Sequence, residues 1–334
     1  MERVLVSNVN WLGDSLLMTP VLRGLKEKAG VMYLVLFTHR RTREIFFRNP
    51  FIDEIIEFTD KDLKNLPGFL SKAVRLARLE LDTAIMLKAS LSRLFMFKLA
   101  RIKRIVSFGN KRYINFLLDV KVKADPFVLH RLNYYLKLLE ALGIYVDSYQ
   151  PDFFLDKNDI DKAGDFIQTI AGDKKVVILH PAANWKLKCW PAVYFASLND
   201  LLQEKLGVSV IISGRKDDVL LAEKISALCR YKPVSVCGRF NLRELAAIIK
   251  KSSLFISADT GIMHLAAAVN TPLVALFGPT SPLITSPRTS SFVRIIQKDV
   301  GCKIPCYNLK CSNNLCMKEI KPSEVFQAAA EIIK

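Results

Sequence analysis

The chain has 334 residues, more than one hydrophobic core usually grows before a protein splits, so two domains of roughly 150 residues each are expected. Hydrophobic residues make up 51 % and charged residues 24 %, with 14 Gly and 14 Pro, which excludes a disordered or low-complexity chain. The formal net charge of +17, from 49 Lys and Arg against 32 Asp and Glu, favours polyanionic partners: nucleic acid, phosphorylated glycans or an anionic membrane.

Residues 4–7 form a short β-rich run, followed by a loop at 8–13 and a helical pattern carried by Leu16, Leu17, Val21, Leu22 and Leu25. This opening lacks the charged, apolar and small-residue regions of a secretion signal, which argues against export and for a cytoplasmic chain. Strands follow at 31–37, 55–58 and 83–87, with helices at 42–47 and 66–79, an alternation expected of right-handed βαβ units on a parallel sheet. From Lys88 to Lys123 the chain carries ten basic residues against the single acid Asp119. Within that stretch, residues 91–102 mix apolar and basic side chains at helical spacing, as either an interfacial helix or a helix packed on its own sheet would. No segment approaches the ~18 to 20 uninterrupted apolar residues of a membrane span, so any membrane contact is expected to be peripheral.

A second series begins after Asp152 with a polar stretch at 156–161 and a helix at 162–170. Strands are then expected at 175–180, 208–213, 234–237, 254–257 and 273–277, separated by helices at 190–206, 218–229, 242–250 and 261–269. A last helix is opened by Pro322. The fold class is α/β with two Rossmann-like, doubly wound lobes, residues 1–157 and 158–321. Ligands of such sheets bind outside the carboxyl ends of the strands, which places a cleft between the carboxyl ends of the two sheets and function in the strand-to-helix loops.

The first such loop, Asn8 to Asp14, holds one Gly and lacks the G-x-G-x-x-G fingerprint, which disfavours nicotinamide chemistry. Asp14 is a candidate general base toward an acceptor hydroxyl, or alternatively an N-terminal helix cap. In Ser257-Ala-Asp259-Thr260-Gly261-Ile-Met-His264, a strand end meets a tight turn and a small-residue helix. Its first N–H groups and the Thr260 hydroxyl are suited to a diphosphate, although a plain turn has the same pattern. His264 lies one turn in, near the phosphates or as a structural histidine. The loop from His180 through Asn184 to Lys188 and Pro191 offers Lys188 to neutralise a departing diphosphate. Asn184 joins Asp259, Thr260, Gly261 and His264 as a donor-binding candidate; Asn10, Ser90, Arg93, Arg101, Lys103 and Arg104 are the acceptor-binding candidates.

Four segments in order, Asn10-Trp-Leu-Gly-Asp14 with Thr19-Pro20, Lys188-x-Trp-Pro191, Asp259-Thr-Gly-x-Met-His264-Leu-Ala-Ala-Ala and Pro272-Leu-Val-Ala-Leu-Phe-Gly-Pro-Thr280, resemble the bacterial ADP-heptose:lipopolysaccharide heptosyltransferase family. Residues 82–90 and the run His130-Arg-x-Asn-Tyr-Tyr resemble that family's acceptor lobe. The resemblance implies a GT-B fold whose final helix, 322–334, returns to the first lobe. It implies ADP-heptose as donor substrate and the lipid A inner core as acceptor, with Asp14 as base, Lys188 on the phosphates and Asp259, Thr260, Gly261 and His264 as donor turn. Ala258 and Thr260 stand where some members carry Asn and Ser.

The implied reaction is a single inverting displacement with peripheral contact at the inner membrane face, no cofactor and no required divalent metal. Asp60-Lys-Asp62 and Asp159-Ile-Asp161 have D-x-D spacing but read as solvated acids. Cys302, Cys306, Cys311 and Cys316 are compatible with a structural zinc, with reduced thiols or with a local disulfide, and similar cysteines mark second-heptose transferases of the family. The second core heptose is the expected product; other readings are a transferase using another nucleotide sugar or adding a different core heptose, a sugar-nucleotide epimerase and a non-catalytic glycan- or nucleotide-binding protein. Nucleic acid is not expected, because no binding motif accompanies the basic residues.

Overall fold

Strands of two to seven residues alternate with helices along the described chain, and they assemble into two units, Met1–Phe154 and Leu155–Lys334. The computed structural model describes residues 2–109, 112–306, 308 and 310–333, and of Arg112 and Tyr113 the backbone. Lys111, counted in the basic stretch, lies outside the described residues, as does the side chain of Arg112.

The first unit contains β1 (Arg3–Ser7), β2 (Tyr33–His39), β3 (Glu54–Phe58), β4 (Thr83–Met86), β5 (Arg104–Phe108) and β6 (Val120–Val122). Its helices are α1 (Leu12–Leu17), α2 (Thr19–Glu27), α3 (Asp60–Lys64), α4 (Leu66–Ala77), α5 (Leu91–Leu99) and α6 (Arg131–Glu140). All strand pairings are parallel, in the order β3-β2-β1-β4-β5-β6, with Arg3 opposite Tyr33 and Val4 opposite Thr83. Val4, Leu5, Val6 and Leu34–Phe37 are fully buried, the run of a strand covered on both faces by helices.

The second unit repeats the plan with β7 (Val176–His180), β8 (Ser209–Ile212), β9 (Val234–Ser235), β10 (Leu254–Ala258), β11 (Leu273–Phe277) and β12 (Val293–Gln297). Around them lie α7 (Lys157–Ala171), α8 (Ala192–Leu206), α9 (Val219–Leu228), α10 (Leu242–Lys251), α11 (Gly261–Ala268), α12 (Pro282–Thr285), α13 (Leu315–Lys318) and α14 (Pro322–Ile333). The parallel order is β12-β11-β10-β7-β8-β9.

The sheets are larger than the pattern indicated. β5, β6 and β12 were not anticipated: β6 has three residues, β12 is half exposed at a sheet edge, and β5 opens inside the basic stretch. The 42–47 segment is a 3-10 helix, Arg40–Phe46. The polar stretch 156–161 is the first turn of α7, where Asp156 accepts from the Asp159 N–H and Asp159 accepts from the Asp156 N–H.

The final helix corrects the expected domain plan. It belongs to the second unit, packs on α8, and buries Val325, Ala328, Ala329 and Ile333 in that unit's core. The Trp190 indole donates to Ile320 O at 2.9 Å just before α14, and the unit boundary falls after Phe154 instead of after residue 157.

Candidate functional site

In each sheet the chain leaves its first strand in one direction and later crosses back beside it, which creates a switch point between β1 and β4 and another between β7 and β10. Most of the candidate residues, though not Arg101, Lys103 and Arg104, lie at the carboxyl edge of these two places.

In the first unit, the loop after β1 runs into α1, whose N-cap is Trp11, without a side-chain capping bond. Asp14 therefore sits in the first turn and is not the cap; its charge suits the helix dipole while its carboxylate points elsewhere. Tyr135 of α6 donates to Asp14 Oδ1 at 2.7 Å, and Arg131 Nε lies 3.4 Å from the same oxygen. Burial, then the Asp14 charge, push the Tyr135 phenol well above its usual range, so it stays a donor. Asp14 itself keeps partial exposure, as a base that must meet an acceptor requires.

The loop is held from beneath. Asn8 donates from Nδ2 to Ser15 Oγ and Thr38 Oγ1, each at 3.0 Å, and Ser15 donates to Val9 O at 3.3 Å. Arg93 enters from α5 and spans the switch point: Nη1 donates to Ser7 Oγ at 2.9 Å and Asn8 O at 2.8 Å, and Nη2 to Lys88 O at 3.1 Å. Burial lowers the Arg93 pKa to about 10, so the guanidinium stays cationic at neutral pH. Asn10 Oδ1 is buried without a hydrogen-bond partner among the described residues. Ser90 precedes α5, and its hydroxyl lies 3.1 Å from that of Ser92.

The acceptor candidates thus divide. Asn10, Ser90 and Arg93 lie at the Asp14 edge, with Arg93 turned inward as a brace. Arg101, Lys103 and Arg104 do not join them: they precede or open β5 at the amino edge, about a strand length or roughly 15 Å away, and Lys103 pairs there with Asp82 at 3.1 Å. A linear charge count cannot tell the two edges of a parallel sheet apart.

In the second unit, Lys188, in the loop after β7, donates to Asp259 Oδ2 at 2.8 Å and to Asp259 O at 3.2 Å. The pair closes over the β7–β10 switch point, with Thr285 of α12 donating to Asp259 Oδ2 at 3.4 Å. Thr260 caps α11 by accepting from the Met263 N–H at 3.2 Å, so its oxygen is committed to the helix. The N–H groups of Gly261 and Ile262 have no acceptor among the described residues and open outward at the positive helix end. His264 is buried in the same helix, and exposed Asn184 accepts from Arg215 Nη2 at 2.7 Å.

Four contributors escaped sequence reasoning: Tyr135, Arg131, Arg215 and Thr285. The His130-to-Tyr135 run carries only the family resemblance, and nothing local announces a contact 121 residues away.

Of the D-x-D acids, Asp161 and Asp60 are exposed, as solvated acids would be, whereas Asp62 and Asp159 are structural. Asp62 completes a capping box with Thr59, Asp60 pairs with Arg41 at 3.5 Å, and Asp159 pairs with Arg243 besides capping α7. All seven cysteines are free thiols, so no local disulfide forms, and among the described residues no three His, Cys, Asp or Glu side chains group as metal ligands. Burial raises the Cys316 thiol pKa. Gly278, just after β11, lets the tail approach: a Cβ there would collide with Met317 Sδ.

Comparison with known proteins gives a consistent relationship. The family model of glycosyltransferase family 9 (heptosyltransferase) matches residues 70–316. The chain is 24 % identical to lipooligosaccharide heptosyltransferase 2 of Campylobacter jejuni, over 99 % of this chain and 98 % of that one. It is 27 % identical to lipopolysaccharide heptosyltransferase 3 of Escherichia coli, over 96 % of each. Among solved structures it resembles a family 9 glycosyl transferase of Veillonella parvula (TM-score 0.89, 21 % identity, 99 % and 97 % covered). It also resembles the E. coli ADP-heptose lipopolysaccharide heptosyltransferase II (TM-score 0.82, 21 % identity, 100 % and 98 % covered). The fold is accordingly the expected GT-B class.

Proposed function

The chain belongs to glycosyltransferase family 9, the heptosyltransferase family, and on that premise we propose that this glycosyltransferase moves heptose from ADP-heptose to the lipid A inner core of lipopolysaccharide. The observation that carries the reading is the Lys188–Asp259 pair at the second switch point, beside the open amides of Gly261 and Ile262. The two amides at the positive helix end, with the Lys188 N–H that Asp259 leaves unused, are the donors this site offers a diphosphate.

The proposed reaction is one in-line displacement with inversion. Asp14, oriented by Tyr135 and Arg131, takes the proton of the acceptor hydroxyl as its oxygen attacks the anomeric carbon. The bond to the diphosphate breaks, and ADP leaves toward Lys188 and the two amides. Lys188 has a third N–H free to meet a phosphate while two bond Asp259. A diphosphate departs without protonation, so one base and a stabilised leaving group suffice and the mechanism needs no divalent metal. Asn184 with Arg215 and His264 complete the proposed donor site; Asn10 and Ser90 complete the acceptor edge.

The acceptor proposed is the one-heptose core, a reading supported by the tail cysteines and by similarity to heptosyltransferase 2 proteins. Similarity to heptosyltransferase 3 keeps a two-heptose acceptor as the second reading. Because the acceptor is lipid-anchored and no described helix is long and apolar enough to cross a membrane, we propose peripheral contact with the cytoplasmic membrane face.

The test is transfer from ADP-heptose to truncated lipopolysaccharides bearing none, one or two core heptoses, with wild type beside Asp14→Asn. Transfer to the one-heptose acceptor, lost about 10²- to 10⁴-fold in the variant, is expected. Transfer to none of the three would overturn the reading.

A further inference from the structure

α4 and α5 pack side by side in the first unit and place Ala73, Leu76, Leu94, Met96 and Phe97 in its core. Each helix also leaves an apolar stripe in water that its own packing does not use. On α4 the stripe is Leu66, Leu70 and Val74; on α5 it is Leu91, Phe95 and Leu99, which are 44 %, 51 % and 54 % exposed. Both stripes step by four residues, the spacing of one helix side. Scattered exposed apolar residues are ordinary, but six of them, spaced by four along two helices that pack together, mark an interaction surface.

The charges around the stripes select the occupant. Arg78 continues the α4 stripe by one further step of four; Lys88 precedes α5 and Arg101 follows it. All three are exposed and have no carboxylate partner among the described residues. A second copy of the chain meeting this face about a two-fold axis would bring these cations against their own images, which disfavours self-association.

We propose that the α4–α5 face docks onto an anionic lipid leaflet, the apolar stripes entering the interface and Arg78, Lys88 and Arg101 meeting lipid phosphates. The choice of a lipid occupant rests on the lipid-anchored acceptor of the preceding section. The fold also ties this face to the site: Arg93, one turn into α5 and facing inward, holds Asn8 O at 2.8 Å and Lys88 O at 3.1 Å. A bilayer-bound α5 is therefore one side chain away from the loop that carries Asp14, so docking sets the depth at which the acceptor sugar meets the base. Arg101, at the amino edge of the sheet and away from Asp14, has its use here.

The experiment is co-sedimentation of the full chain with vesicles of phosphatidylglycerol and phosphatidylcholine in equal parts, and with pure phosphatidylcholine. Wild type is compared with Phe95→Glu/Leu99→Glu and Leu70→Glu/Val74→Glu. Wild type should partition at least about tenfold more to the anionic vesicles, an advantage that added salt erodes, and each double variant should lower that partition about tenfold. Thermal melting and transfer to a lipid-free soluble acceptor should match wild type in both variants, which separates docking from folding and catalysis. Equal binding to both vesicle types, variants that bind like wild type, or variants that dissociate a dimer would overturn the proposal. Failure of the heptose reading shows instead as no transfer to the soluble acceptor by wild type, whatever the vesicles report.

Discussion

Tyr135 of α6 donates to Asp14 of α1 at 2.7 Å, and this bond, with Arg131 Nε 3.4 Å from the same oxygen, aims the one carboxylate that the proposed transfer needs as a base. The Tyr135 phenol is pushed well above its ordinary pKa, so it remains a donor wherever Asp14 is ionised. Tyr135→Phe removes a hydrogen bond to a charged group, worth about 1.5–3 kcal/mol, and should lower kcat roughly 10- to 100-fold. Steady-state kinetics check this: KM for the donor should stay at its wild-type value, because the second unit is untouched. A KM effect without a kcat effect would remove Tyr135 from a positioning role.

The Lys188–Asp259 pair has both a structural and a binding consequence, and substitutions separate them. Asp259 is 5 % exposed, so Lys188→Met leaves a buried carboxylate without its partner, at a cost of roughly 1–3 kcal/mol. Lys188→Met/Asp259→Asn should recover much of that stability while ADP affinity stays weakened at least about tenfold. Denaturant melts and calorimetric ADP titrations read the two effects. Full recovery of ADP binding in the double variant would show that Lys188 serves only the fold.

His180, at the end of β7, lies buried with Nδ1 3.0 Å from Ser213 Oγ, and burial lowers its pKa to about 4. The unfolded chain binds this proton near pH 6.5, so between about pH 6.5 and 4 the unfolded state holds more protons and stability falls as pH falls. The contribution is complete above about pH 6.5, is lost by about pH 4, and is on the order of 3 kcal/mol. His180→Gln should flatten the dependence of Tm on pH in that window relative to wild type, whatever its own absolute Tm. An unchanged slope would contradict a neutral buried imidazole.

The thiols differ in burial and should differ in reactivity. Cys302 is exposed, whereas burial raises the Cys229 pKa to about 11 and also raises that of Cys316. Iodoacetamide at neutral pH, followed by peptide mass analysis, should label Cys302 first, and Cys229 and Cys237 only after denaturation. Early labelling of Cys229 would place it outside the core.

Local periodicity by itself determined the alternation of strand and helix, the split into two doubly wound units, and the placement of Asp14, Lys188 and Asp259 at strand-to-helix junctions. These are legible because burial of a strand or a helix face leaves its period in neighbouring residues. Edge strands were harder: β6 and β12 are short or half exposed and leave a weak pattern. Only the tertiary structure decided that Tyr135 and Arg131 hold Asp14, that Arg93 points inward to brace the loop, and that Lys188 and Asp259 pair. It also decided that Arg101, Lys103 and Arg104 lie at the far edge and that α14 packs in the second unit. Parallel crossovers bring residues 71 to 121 positions apart to one sheet edge, and a contact made by topology leaves no period in the chain.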